Sequence, residues 1–291
     1  MRTERRYKRV LPALALLAIL VGCDVINPAD PVPAYIYIED LPLSVQPGEG
    51  TASEQITEAW FYANGDFLGA YSFPALIPVI AAGPTDILIF PGIRVNGISS
   101  TPDIYPFFRR YEETLDLTPV ATDTLNPQTA YLADLDFALI EGFETSNLFI
   151  DDLDSDPETG LQQTDEDVFE GARSGRMVLS SEHALVEVAS LPILTDLPTN
   201  SSPVFLELNY RNNTEFSVGL VGHQTGIGPT RYTLLFVRQR EEWSKIYVDL
   251  TEALFLSQLE GYQILIRAVH DPDNAESFVL LDNIKLVHFR Q

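Results

Sequence analysis

From residue 34 onward, apolar and polar side chains exchange places at every second position over short runs, and that period of two constrains the fold more than any other feature. Tyr35 and Tyr37 alternate with Ile36 and Ile38, and Val204, Leu206, Leu208 and Tyr210 alternate with Phe205, Glu207 and Asn209. In a strand, alternate residues point to opposite faces, so each run has one face to bury and one to spare. Between residues 34 and 138 no stretch carries a helical period. The runs are bounded by Gly, Pro and Asn, and Asn64-Gly65 between two of them is the strongest short hairpin signal. A type I′ turn needs positive φ at both central residues, which Asn and Gly tolerate. The expectation is an all-β chain.

Seven or so strands in residues 34–138, among them 56–62, 67–73, 85–90, 112–117 and 122–125, predict a small Ig-like antiparallel sandwich. Eight more, at 176–180, 185–188, 204–210, 216–221, 232–237, 245–250, 262–269 and 278–287, predict a β-jelly-roll sandwich over residues 139–291. An acidic connection with nine carboxylates in residues 151–170 leads into it. Asp152, Asp154 and Asp156 have the spacing of an EF-hand start. However, Pro157 stands where a glycine is required and Gln163 where a glutamate should sit, which excludes that motif.

The chain opens with Arg2, Arg5, Arg6, Lys8 and Arg9, then twelve apolar residues to Val21, too few to span a bilayer, which needs about 20. Leu20-Val21-Gly22-Cys23 resembles the lipobox of bacterial lipoproteins. That likeness implies removal of residues 1–22, acylation of Cys23, and attachment of residues 23–33 to an envelope membrane as a tether. The outer membrane is expected in preference to the inner, with the periplasmic or surface side left open. Cys23 is the chain's single cysteine, so no disulfide and no cysteine zinc site is expected once it is lipidated. Residues 1–22 hold five of the 18 basic and one of the 42 acidic residues, which leaves 13 against 41, a net charge of −28. Nucleic acid is excluded as a partner, since phosphate contacts need clustered Lys and Arg.

Residues 59–93, with a strand, an Asn-Gly turn, a second strand, a proline-bounded connection and a glycine-initiated strand ending in Pro91-Gly92, resemble the PEGA and carboxypeptidase-regulatory-like envelope domains. The resemblance implies a structural or spacing role and no catalytic residues. Residues 102–111 (PDIYPFFRRY) gather Tyr105, Phe107, Phe108, Arg109 and Arg110 in an acidic chain, the composition of interface hot spots. They are candidates for docking an envelope protein. The plainer alternative is a loop that folds its rings onto the sandwich edge.

Gly142-Phe143-Glu144, residues 171–179 (GARSGRMVL), residues 241–251 (EEWSKIYVDLT) and residues 280–286 (LLDNIKL) are similar, in order and spacing, to the landmarks of galactose-binding-like jelly rolls, which include many carbohydrate-binding modules. On the mixed strand faces, Phe205, Glu207, Asn209, Tyr247, Gln263 and Arg267 are candidates for a glycan-facing surface. The resemblance also implies a structural Ca²⁺ held by Glu144, the backbone around Arg173, and Asp282. The alternative at that place is ion pairing and turn amides without metal. None of the four histidines has a metalloprotease spacing, there is no G-x-S-x-G elbow, and an enzyme is not expected. Two functions remain. The first is a structural or docking lipoprotein that presents two sandwiches to protein partners; the alternative is a glycan-binding lipoprotein that uses the jelly roll.

Overall fold

A computed structural model describes residues 30–100 and 102–291. Cys23, the signal segment and most of the tether lie outside the described residues. No helix among those described is long and apolar enough to cross a membrane.

The first sandwich packs two sheets. One has the order β5 (Ala75–Val79), β1 (Ala34–Ile38), β9 (Thr122–Leu125). The other runs β4 (Asp66–Ser72), β3 (Glu58–Ala63), β6 (Gly83–Arg94), with β7 (Pro102–Ile104) and β8 (Tyr111–Leu117) sharing the far side of the long β6. Ile36, Ile38, Phe61, Ile77, Ile87 and Ile89 fill the space between the sheets. The Asn64-Gly65 turn joins β3 to β4, with φ of 51° and 87°, as the hairpin signal predicts. The sandwich is not wholly antiparallel. β1 runs parallel to β9, and β2 (Leu43–Ser44) runs parallel to β10 (Thr129–Ala130).

The second sandwich is the jelly roll. Its first sheet has the order β13 (Gln162–Thr164), β14 (Ser174–Leu179), β21 (Ser277–Phe289), β16 (Val204–Asn212), β19 (Arg240–Asp249), with β11 (Leu135–Glu141) also on β21. Its second sheet runs β12 (Asp151–Asp152), β15 (Leu185–Ala189), β20 (Gly261–Val269), β17 (Phe216–Gln224), β18 (Ile227–Val237). All eight strands expected here are present, together with one short helix, α1 (Thr251–Ser257). Leu206, Leu208, Val218, Ile264, Ile266 and Leu286 lie in the core between the sheets. The domain boundary moves. β11 crosses the expected junction at 138/139, and because the whole strand pairs with β21, the jelly roll begins at Leu135.

Candidate functional site

The outer face of the jelly roll's first sheet carries Phe205, Glu207 and Asn209 from β16, Lys245 and Tyr247 from β19, and Lys285 from β21. The first domain closes over it. Tyr105 sits at 5.3 Å from Phe205 and 4.9 Å from Tyr247 between ring centroids, and Phe107 lies 5.1 Å from Phe289. Phe205, Glu207, Asn209 and Tyr247 are all buried. Tyr105, Phe107 and Phe108 are buried against them. Both sequence-based expectations of exposed surface are therefore corrected for these seven residues: the aromatic loop and the mixed strand face are each other's partner within one chain. Arg109 and Arg110 remain exposed, Arg110 paired with Glu112.

At the centre of this joint, Glu207 accepts hydrogen bonds from the hydroxyls of Tyr105 (2.7 Å) and Tyr131 (2.8 Å) and lies 2.8 Å from the Lys245 ammonium. Lys245 and Lys285 also donate to the carbonyls of Ser53 and Thr51. Ser53 donates to Asn209, and the Gln55 amide donates to the Tyr247 hydroxyl. Burial alone would raise the Glu207 carboxyl, but the two ammoniums and the donors from Lys245 and Tyr105 outweigh it and hold it below the usual range. Burial pushes Lys285 down to about 8, against the pull of Glu207. Burial and the same carboxylate push Tyr105, Tyr131 and Tyr247 well above 10.

The remaining two expected ligand-face residues, Gln263 and Arg267, lie on the other sheet; Arg267 is partly exposed, whereas Gln263 is buried at 1% exposure, which corrects the expectation for it as well. Strand pairing sets one row across this sheet. Glu187 on β15 faces Arg267 on β20, Arg267 faces Ser217 on β17, and Ser217 faces Phe236 on β18. Phe236 is 60% exposed, which leaves a ring surface free at the end of this row. A second arginine, Arg231, reaches over the sheet to Glu187 (2.5 Å) and to the Leu153 carbonyl (2.9 Å). Beneath it Ala189, Val221 and Leu265 form an apolar floor with Leu153 at the side. Gln263 donates to Asp151 (2.8 Å) and faces the imidazole of His223 (2.6 Å). The face thus presents the guanidiniums of Arg231 and Arg267, held by the buried Glu187, with an aromatic ring at one edge.

Sequence reasoning missed Glu187, Ser217, Arg231 and Phe236, and for the pairing of Ser217 with Phe236 the reason is backbone irregularity. Counting back from the Gln224↔Ile227 pair at the hairpin end would set Ser217 opposite Leu234, but two bulges, at 222/224 and 218/219, shift the register to Phe236. Gly219 permits the second bulge, since a Cβ there would lie 2.0 Å from the Tyr232 carbonyl oxygen.

Glu144 and Asp282 come together as the jelly-roll resemblance implies, but as caps for N–H and O–H donors. Glu144 accepts from the amides of Ala172 (2.9 Å) and Arg173 (3.3 Å). Asp282 accepts from Ser174 Oγ (2.8 Å) and from the amides of Glu170 and Asn283. The backbone around Arg173 turns amide hydrogens, not carbonyl oxygens, toward Glu144, whereas Ca²⁺ takes oxygen ligands. Among the described residues no group of three or more His, Cys, Asp or Glu side chains is placed to hold a metal. As placed, Glu144 Oε1 and both oxygens of Asp282 are occupied as acceptors of N–H and O–H donors.

No protein-family model matches the sequence, and no curated protein does. Among solved structures, the CBM22-1 xylan-binding domain of Xyn10C from Paenibacillus barcinonensis is 14% identical and aligns over 54% of this chain and 96% of its own, with a TM-score of 0.36. A carbohydrate-binding module from the β-sandwich superfamily is 14% identical over 89% of this chain and 99% of its own, at 0.38. The family 30 module of a cellulosomal cellulase from Clostridium thermocellum is 14% identical over 48% and 88%, at 0.36. At scores this low the similarity says nothing of the ligand or site of this chain. Its own strands and sheet order define it as a two-domain all-β protein with a C-terminal jelly roll.

Proposed function

We propose that this protein is a non-catalytic carbohydrate-binding lipoprotein of the cell envelope, held to a membrane through Cys23, whose jelly roll binds glycan on the outer face of its second sheet. The observation that carries the reading is that, on the jelly-roll sheet face away from the first domain, the partly exposed Arg267 and the exposed Phe236 share one row with the buried Glu187 and Ser217. A sugar ring has hydroxyls that pair with planar donors and acceptors such as Arg, Gln and Glu. It also has an apolar side that stacks on an aromatic ring. This face supplies both, with Arg231 and Arg267 aligned by Glu187. The lipobox-like Leu20-Val21-Gly22-Cys23 supports the envelope address. Docking of a protein partner through Tyr105, Phe107 and Phe108 is set aside, because those rings are already buried inside the molecule.

Affinity electrophoresis against a panel of soluble polysaccharides tests this. At least one polysaccharide should retard the protein, and Arg267→Ala or Phe236→Ala should weaken that retardation about tenfold with the fold intact. No retardation across the panel would sink the proposal.

A further inference from the structure

We infer that the outer face of the first domain is a second glycan-binding surface, which takes a neutral polysaccharide across a strip of four aromatic rings; the inference rests on reading the protein as a carbohydrate binder. β3 turns Trp60 and Tyr62 away from the core, partly exposed, while Ala59, Phe61 and Ala63 are buried in it and Glu58, at the start of the strand, is buried beside Arg94. Pairing places Trp60 opposite Phe90, and Tyr62 opposite both Leu88 and Phe67. The rings form a continuous strip. Trp60 stacks on Phe67 at 5.5 Å, Phe67 meets Tyr62 at 5.0 Å, and Tyr62 meets Phe90 at 5.5 Å. Phe67 is 50% exposed, and the other three rings are partly exposed.

The strip is built into the sheet. Gly92 leaves room for the indole, since a Cβ there would lie 2.9 Å from the Trp60 ring. The buried Trp60 Nε1 has no hydrogen-bond partner, so ring contacts hold this side chain in place. Such an arrangement preserves an aromatic surface at the cost of an unsatisfied donor.

Charge selects the class of ligand. The guanidinium of Arg110 lies 5.7 Å from the centre of Phe90 and pairs with Glu112, and Arg94 lies 3.6 Å from Glu58. Both arginines beside the strip are thus already engaged by a carboxylate, and the chain as a whole carries −24. An anionic lipid surface or an acidic polysaccharide is repelled by that net charge and by Asp86 and Glu113, which line the neighbouring cleft without an ionic partner among the described residues. Sugar rings without charge suit the remaining chemistry, with their apolar sides on the aromatics and their hydroxyls on the paired planar groups. Beside the strip, Asn64, Asp86, Leu88, Glu112 and Thr114 line an open cleft of about 650 Å³ with further donors and acceptors.

The test uses the full-length protein in detergent micelles, run through native gels containing xylan, hydroxyethylcellulose or mixed-linkage β-glucan. Phe67→Ala removes the most exposed ring, and Trp60→Ala removes the ring beneath it, with melting temperature as the check on folding. Phe67→Ala should reduce retardation about fivefold, and its combination with Phe236→Ala should abolish what either variant leaves. If Phe236→Ala and Arg267→Ala remove all retardation and Phe67→Ala none, the second surface is overturned and the jelly-roll reading stands. If Phe67→Ala removes retardation that the jelly-roll variants leave intact, the second surface stands and the jelly-roll site falls. Absence of retardation by every polysaccharide overturns both.

Discussion

Lys245 places its ammonium 2.8 Å from Glu207 Oε2, with the lysine side chain 1% exposed and the glutamate 0%. The pair comes from adjacent strands of the jelly roll, yet first-domain groups complete its surroundings: the hydroxyls of Tyr105 and Tyr131 on Glu207 and the Ser53 carbonyl on Lys245. The joint between the domains is therefore a closed polar network inside an aromatic shell. Breaking a buried ion pair by removing one partner typically costs about 3–5 kcal/mol, because the other charge is left without compensation.

Lys245→Met should lower stability by about that amount in urea unfolding. Adding Glu207→Leu should not restore it, since Lys285 and two tyrosine hydroxyls would still converge on position 207. A double variant as stable as the wild type would show that the network is not coupled.

The same cluster predicts a pH dependence with a defined sign. In the unfolded chain Lys285 titrates near 10.5, and in the folded protein at about 8. Between those values the unfolded chain holds a proton that the folded protein has released, so this group's contribution to stability rises with pH. Below pH 8 the full cost of burying the ammonium is carried. The buried tyrosines, raised above 10, act in the opposite sense, and their contribution is lost as pH rises beyond 10. The wild type should therefore gain on Lys285→Met between about pH 8 and 10, by up to about 1.4 kcal/mol per pH unit. Equal pH profiles for the two proteins would refute the assignment.

Phe205→Ala should act on the joint and not on ligand. Loss of a buried phenylalanine costs about 3–5 kcal/mol. The expected result is a lower melting temperature with unchanged affinity for any retarding polysaccharide at temperatures where the variant stays folded. Selective loss of binding without loss of stability would return this residue to a glycan face.

Calcium and chelator should leave the melting curve unmoved. Burial, reinforced by Glu144, raises the Asp282 carboxyl, while donors from Ser174, Asn283 and Glu170 oppose that shift. Asp282→Asn should lower the melting temperature equally with and without millimolar Ca²⁺. A rise in melting temperature on adding Ca²⁺, lost in that variant, would establish the metal site that the N–H caps argue against.

Much of the architecture was legible because alternation is local. The faces assigned to Val204, Leu206 and Leu208, and to Tyr262, Ile264 and Ile266, are the buried ones. Alternation could not say what covers the other face. Phe205 and Glu207 look, strand by strand, like Leu265 and Arg267: one apolar and one charged residue turned outward. What covers each pair is a long-range property: the first domain closes over Phe205 and Glu207, while Leu265 is buried with Ala189 and Val221 and only Arg267 is partly exposed. The rings of Tyr105, Phe107 and Phe108 carried the hot-spot signal correctly, but composition does not distinguish a partner in another chain from one 100 residues on. Phe236 was hidden by two bulges, and the strip of Trp60, Tyr62, Phe67 and Phe90 by the pairing of β3 with β6, which brings Phe90 opposite Trp60 from a strand not adjacent in the sequence.

The belt of Thr51, Ser53 and Gln55 across the joint bears on how such a chain can be inherited. Many β-sandwich modules pass between proteins as independent cassettes, because their outer faces are already suited to water. Severed at Leu135, this jelly roll would take with it two lysines and a glutamate stripped of hydroxyl and carbonyl partners, and the rings of Phe205 and Tyr247 laid bare. Gene rearrangement that separated the halves would leave each with an aggregation-prone surface. The two sandwiches are thus expected to travel through descent as a single heritable unit.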